Sequence, residues 1–190
     1  LLKKAHQNDI LILNSQTVTS FQELNDTVEV ETNGITFKTN KLLFTTNGFA
    51  SQLTNNQVKP ARAQVLITKP IPNLDIKGTF HLDKGYFYFR NINDRILFGG
   101  GRNLDFEGET TTSHDTTELI QNRLEELLKT VILPHQDFEI EHRWSGTMGV
   151  GTHKKPIVEQ LSNNVYCGVR MGGMGVAIGS LVGQELADLL

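Results

Sequence analysis

Val165-Tyr166-Cys167-Gly168-Val169-Arg170-Met171-Gly172-Gly173-Met174-Gly175-Val176 is a strand-like run that breaks into a glycine-rich loop and continues as an apolar helix to Leu190. Gly172, Gly173 and Gly175 remove side chains just where that helix begins. The first N–H groups of a helix have no intrahelical partner, and the macrodipole makes that end partly positive. An anion, or the electron-rich edge of a planar ligand, can rest against it. The helix acids Glu185 and Asp188 lie toward the other end, so nothing neutralises the start. Gly175, Gly179 and Gly183 recur every four residues and predict a flat face for close packing on a sheet. The spacing is neither a dinucleotide fingerprint nor a P-loop, since no Gly-Lys-Ser/Thr follows. On spacing alone two readings stand: a ligand cradle, or a helix packed tightly on a sheet with nothing bound.

Upstream of this segment the chain reads mostly as short strands. Ile10 to Leu13 is an apolar run of strand length. Residues 16–21, 27–31, 35–39 and 41–46 follow, separated by the turn pairs Asn25-Asp26 and Asn33-Gly34. The last of these delivers a tight turn at Asn47-Gly48. Residues 62–69 alternate as a strand that Pro70 and Pro72 end. Residues 78–82 read as a further strand. Tyr86–Arg90 and Arg95–Gly99 predict an antiparallel hairpin, after which Gly99-Gly100-Gly101 permits a sharp bend. One amphipathic helix is expected. It starts at a capping box, Asp115 to Glu118, and carries Leu119, Ile120, Leu124, Leu127, Leu128 and Val131 on its apolar face. Glu125 and Lys129 are spaced to pair, and Pro134 marks the stop. Residues 139–144 read as a strand leading into Ser145-Gly146.

Composition narrows the function classes. An apolar fraction of 38% supports a packed core. A net charge of -3 gives no electrostatic footprint for nucleic acid. The most apolar stretch, Gly175 to Leu190, is too short and too charged for a membrane span. Cys167 is the single cysteine and is expected in the core, which rules out an intrachain disulfide and fits a reducing cytoplasm. His81, His114, His135, His142 and His153 are scattered without metal-ligand spacing. Leu1 to Ala5 reads as the end of a helix already under way, so the chain is expected to begin inside a larger protein.

The set Trp144-Ser145-Gly146, Pro156-Ile157-Val158, Asn164 to Gly168, Gly172 to Val176, Gly183 and Ala187-Asp188-Leu189 resembles the C-terminal part of the D-amino-acid oxidase and glycine oxidase family of FAD-dependent oxidoreductases. Lys41 to Ser51 is similar to that family's strand returning to the flavin domain. Gln16 to Thr19 is similar to the strand whose valine, here Val18, lies by the adenine, and Tyr86 to Phe98 to the hairpin of the substrate domain. The resemblance implies an α/β fold with α+β character: a partial flavin domain from residues 1–50 and 145–190, and an antiparallel or mixed-sheet substrate domain from residues 51–144. It implies FAD as cofactor, with Val18, Thr46, Asn47, Gly48, Met171, Gly172, Gly173, Met174, Gly175 and Val176 as the residues that touch it. The family's N-terminal glycine fingerprint is absent from the chain, so a missing N-terminal segment is expected as a partner, and the chain alone is expected to be inactive and to hold FAD weakly.

The substrate implied is a small amine or amino acid oxidised at its C–N bond. The family's carboxylate-gripping arginine follows the Ser-Gly step, where this chain has Thr147-Met148. Met148 therefore stands at a substrate position without that charge, and Arg102, Arg143 and Arg170 are the candidates for an anion partner, Arg102 foremost. Tyr86, Tyr88 and Arg90 share one strand face, and the resemblance makes Tyr86 a substrate contact. Two alternatives come from other classes: a flavin oxidoreductase of a hydroxy acid or polyol phosphate, and a non-catalytic domain of a split protein.

Overall fold

The computed structural model describes residues 1–52 and 58–190. Residues 53–57, near the start of the expected substrate domain, lie outside the described residues. A short helix α1 (Leu2–Gln7) opens the chain. Strands β1 (Val18–Leu24), β2 (Thr27–Thr32) and β3 (Thr36–Thr39) form an antiparallel meander through turns at Asn25-Asp26 and Asn33-Gly34. β4 (Leu42–Phe44) ends at a 3₁₀ turn over Asn47–Gln52. It lies parallel to β11 (Val165–Val169), whose other edge pairs antiparallel with β10 (Ile157–Gln160). All five residues of β11 are buried, the pattern of a strand covered on both faces.

The third sheet is antiparallel throughout. Its order is β6 (Thr79–Leu82), β7 (Phe87–Ile92), β8 (Arg95–Gly100), β5 (Lys59–Thr68) and β9 (Ile140–Val150). The expected hairpin is β7 with β8, closed by Asn93 and Asp94 at positive φ. One face of this sheet is covered by α2 (Glu118–Leu127), which runs on as a π turn to Ile132. Leu66, Phe87, Ile96, Phe98, Ile120, Leu124 and Leu128 form the core between them. A second core, with Val28, Phe44, Val165, Cys167 and Val169, joins the meander to the parallel pair. Cys167 is fully buried there, and burial pushes its thiol pKa up. The last element is α3 (Gly175–Ala187).

Several expectations change. Ile10 to Leu13 is not a strand: it pairs with no strand among the described residues, and its side chains are exposed. An apolar run of strand length becomes a strand only where a ladder partner exists. The helix starts later than the capping box implied. Thr117 is the N-cap, without a side-chain cap bond, and Asp115 instead accepts from the Ser113 hydroxyl at 2.6 Å. Thr117 is turned toward the sheet by Gln64, whose Oε1 accepts its N–H at 2.9 Å. Leu119 and Val131 face solvent, leaving a narrower buried stripe. Glu125 pairs with Arg143 of β9 rather than with Lys129. β9 runs on past the expected strand end at Trp144 to Val150.

The glycine stripe of α3 does not rest on the sheet. A Cβ at Gly175 or Gly179 would meet the Met171 side chain at 3.6 or 3.7 Å, and one at Gly183 would meet nothing. The helix packs on β11 through Val182 and Leu186, and Gly168 of the strand makes room: a Cβ there would lie 3.0 Å from Leu186 Cδ2.

Candidate functional site

Three segments far apart in sequence meet at β9, the edge strand of the five-stranded sheet. Along β9, Ser145, Thr147 and Gly149 point to one side and Gly146 and Met148 to the other. Gly48 packs on the first side. A Cβ on it would stand 2.8 Å from the Met148 carbonyl oxygen and 2.8 Å from Thr147 Cγ2, so only glycine fits without a shift. Asn47, at φ 46, aims its Oδ1 at the loop after β11, where it accepts the Met171 N–H at 3.0 Å. The Gly172 N–H donates to the Gly149 carbonyl at 2.9 Å. From the other side, Met148 Sδ would lie 2.9 Å from a Cβ on Gly173. The glycine loop is thus clipped by one hydrogen bond to β9 and one to Asn47, and seated on a methionine.

The loop's outward side is open. Gly172 has φ 56 and no atom within 4 Å of where its Cβ would be, and Gly173 has φ 85. The backbone at Gly172 and Gly173 carries no side chain, while Met174 and Val176 at the start of α3 are exposed. No acid stands in the first turn of α3, and no side chain caps it. Val176 is fully exposed. On the other face of β9, opposite Gln64 and Arg62, Ser145 Oγ and Thr147 Oγ1 are buried without a hydrogen-bond partner among the described residues.

Of the other expected site residues, Thr46 accepts the Phe49 N–H at 3.0 Å and is exposed. Val18 lies in β1 and packs on the second core. Tyr86 sits just before β7, 43% exposed, with its ring 6.2 Å from that of Phe106. The Arg102 guanidinium stacks over the same Phe106 ring at 4.8 Å. Tyr86 and Arg102 are therefore joined through a residue that the sequence reading passed over, because Phe106 lies in a loop with no periodicity. Tyr88 is on the same face as Tyr86, opposite Gly99, and its desolvated phenol has a raised pKa. Arg143 is withdrawn as an anion partner: it is bound to Gln121 and Glu125 of α2, at 2.8 and 2.5 Å. Arg102 and Arg170 both line a cleft of about 310 Å³ with Gly172 and Met174.

The far side of the sheet holds a closed polar network. Arg62 forms a two-pronged ion pair with Glu109, at 3.0 and 2.6 Å, and both are buried. The pair raises the Arg62 pKa, chiefly through the Glu109 hydrogen bond. Gln64 donates to Glu109 and Thr117 at 2.9 Å each. This network anchors the loop that carries Arg102 and Phe106.

Residues 1–189 match the family of FAD dependent oxidoreductases. The chain belongs to that family. FAD is its cofactor, and the sequence resemblance and the partial flavoprotein fold stand on this match. Solved structures of similar fold include an L-proline dehydrogenase from P. horikoshii, with a TM-score of 0.81 at 20% identity over 98% of this chain and 52% of that one. A glycine oxidase from Bacillus cereus gives 0.80 at 17% identity, over 97% of this chain and 53% of that one. An iminodiacetate oxidase from Chelativorans gives 0.77 at 16% identity, over 97% and 51%. The chain spans about half the length of these structures. A comparison with curated protein sequences yields no match. Among the described residues no helix is long and apolar enough to cross a membrane.

Proposed function

We propose that this oxidoreductase acts on the C–N bond of a small amine or amino acid. The observation that carries the reading is the convergence at β9: Asn47-Gly48, Met148 and the Met171–Val176 loop, far apart in sequence, pack on one another. The residues fit a flavin ring. Gly172 leaves free space over its backbone, and the start of α3 supplies unneutralised positive potential for the electron-rich side of the ring. FAD, when bound, supplies the two-electron acceptor for the substrate C–H bond. In this reading Thr46, Asn47, Gly48 and Met171 to Val176 hold and orient the ring, and Val18 lies toward the adenine. Residues 1–50 and 145–190 serve the flavin and residues 51–144 the substrate.

The substrate then lies over the sheet face that bears Tyr86, Tyr88 and Met148. Tyr86 donates a hydrogen bond to it, and Met148 gives an apolar wall where related enzymes place a charge. Arg102, held by Phe106 rather than by an acid, keeps its donors for a substrate anion. The test is a substrate screen on the flavin-loaded protein without oxygen, following loss of the visible flavin absorbance. Bleaching by amines or amino acids supports the reading. Bleaching only by hydroxy acids or polyol phosphates replaces it, and no bleaching by any of them removes it.

A further inference from the structure

We infer that the cleft between Gly151 and the Met171–Gly175 loop is an anion subsite, and that the amine substrate proposed above, on which this inference rests, carries a second negatively charged group. The cleft encloses about 310 Å³, and its charged or titratable lining is Arg102, His153, Lys154 and Arg170, with no acid among them. A neighbouring cleft shares Arg102, Val150 and Gly151 with it and adds Lys59, again with no acid. Such a concentration of cations is unexpected in a chain of net charge -3.

The arginines elsewhere in the fold show how this chain treats a guanidinium that has only a structural task. Arg62, Arg95, Arg123 and Arg143 are each paired with a glutamate, and Arg90, which has no such pair among the described residues, is exposed to water. Arg102 and Arg170 have no carboxylate within ion-pair distance among the described residues. Arg102 is set over a phenyl ring. Arg170 is the stronger case, because it is 93% buried on its 7% exposure, yet its one hydrogen bond is from Nε to the Lys155 carbonyl, at 3.0 Å. A buried charge is ordinarily paired, and leaving one without an anion is costly. Its backbone is also in the left-handed region, at φ 64, a conformation that non-glycine residues hold only where surroundings impose it. Arg170 and Lys154 also line the groove between β10 and α3, where Glu159 and Glu185 stand, whereas no acid lines the cleft on the glycine-loop side.

One carboxylate is satisfied by one two-pronged guanidinium. Two guanidiniums and an ammonium around one small cleft exceed that need. They match a dianion, or a second carboxylate or phosphate set apart from the first. Because both chemistries use the same donors, matched pairs separate them. Sarcosine and iminodiacetate differ by one carboxylate, and serine and O-phosphoserine differ by one phosphate.

The experiment titrates the flavin-loaded protein with each pair, reading the perturbation of the flavin spectrum for affinity and its anaerobic bleaching for reaction. The expected result is that at least one dianionic member binds about tenfold more tightly than its partner. Arg102→Gln and Arg170→Gln should each shrink that preference to under about threefold, and the Lys variants should restore part of it. Arg123→Gln, in an exposed ion pair, should leave it unchanged, and flavin content should match wild type in every variant. Equal affinity within both pairs overturns the inference, as does a preference that survives both Gln substitutions. Calorimetry with inorganic phosphate separates this from the catalytic reading. Phosphate binding that is lost in the Arg102→Gln/Arg170→Gln double variant, with no bleaching by any amine, keeps the subsite and overturns the amine chemistry. No phosphate binding above that of the double variant overturns the subsite even if amines bleach the flavin.

Discussion

Arg62 and Arg170 are equally buried, at 6% and 7% exposure, and are otherwise opposites. Arg62 lies on the helix-covered face of the sheet, and Glu109 and Gln64 close a complete circuit of hydrogen bonds around its pair. Arg170 lies at the mouth of the glycine loop with a single backbone acceptor. The first environment is finished by the chain itself. The second is left open, together with a helix start without a cap. Burial alone therefore says little about a charged residue. What completes its hydrogen bonds tells whether it serves the fold or a ligand.

This contrast can be broken by mutation. Glu109→Ala leaves Arg62 buried without its anion and should cost about 3–5 kcal/mol of stability, read as a lower denaturant midpoint. A loss below about 1 kcal/mol would mean the network is not the anchor it looks like. On the open side the large effect should be on the flavin instead. Gly175→Asp places a carboxylate at the start of α3, beside the ring in the proposed site. Flavin retention or reduction potential should fall clearly with little change in the apoprotein's melting temperature, and normal flavin content and potential would make the loop structural only.

Smaller effects sharpen the same division. Tyr86→Phe should weaken substrate binding by about 1 kcal/mol, the scale of one hydrogen bond, with flavin content unchanged. Unaltered steady-state kinetics would take Tyr86 out of the pocket. Tyr88, on the same face, offers a pH test. Its pKa is raised by burial, so the fold favours the neutral phenol. That contribution is complete below the unfolded tyrosine value of about 10 and is lost as pH rises through the folded value. Alkaline titration of tyrosine absorbance should show one phenol ionising above the others, and Tyr88→Phe should abolish that late step.

The sequence was most informative where structure is local. The hairpin of β7 and β8 was legible because alternation and Asn93-Asp94 lie within a dozen residues of each other. The break between β11 and α3 was legible because three glycines in four residues interrupt a strand just before an apolar helix. Ile10 to Leu13 misled, since pairing depends on a partner that composition does not reveal. The loop between Gly101 and Thr117 was opaque for a related reason. Its order comes from Glu109 reaching Arg62 in β5, and from Phe106 lying between Tyr86 and Arg102, contacts that no periodicity announces. At the site itself, Asn47 was picked out for its turn, whereas its side chain's grip on the Met171 N–H emerged only in three dimensions.

β9 belongs to both halves of the molecule. Ile140 near its start packs on the core under α2, while Thr147 and Gly149 near its end meet the Asn47-Gly48 turn that leads to Ala50 of the second core. A strand shared in this way couples the melting of two cores that could otherwise come apart in sequence. Fraying one end removes the template for the other, so the two halves should lose their structure as one cooperative unit, with equal calorimetric and van't Hoff enthalpies.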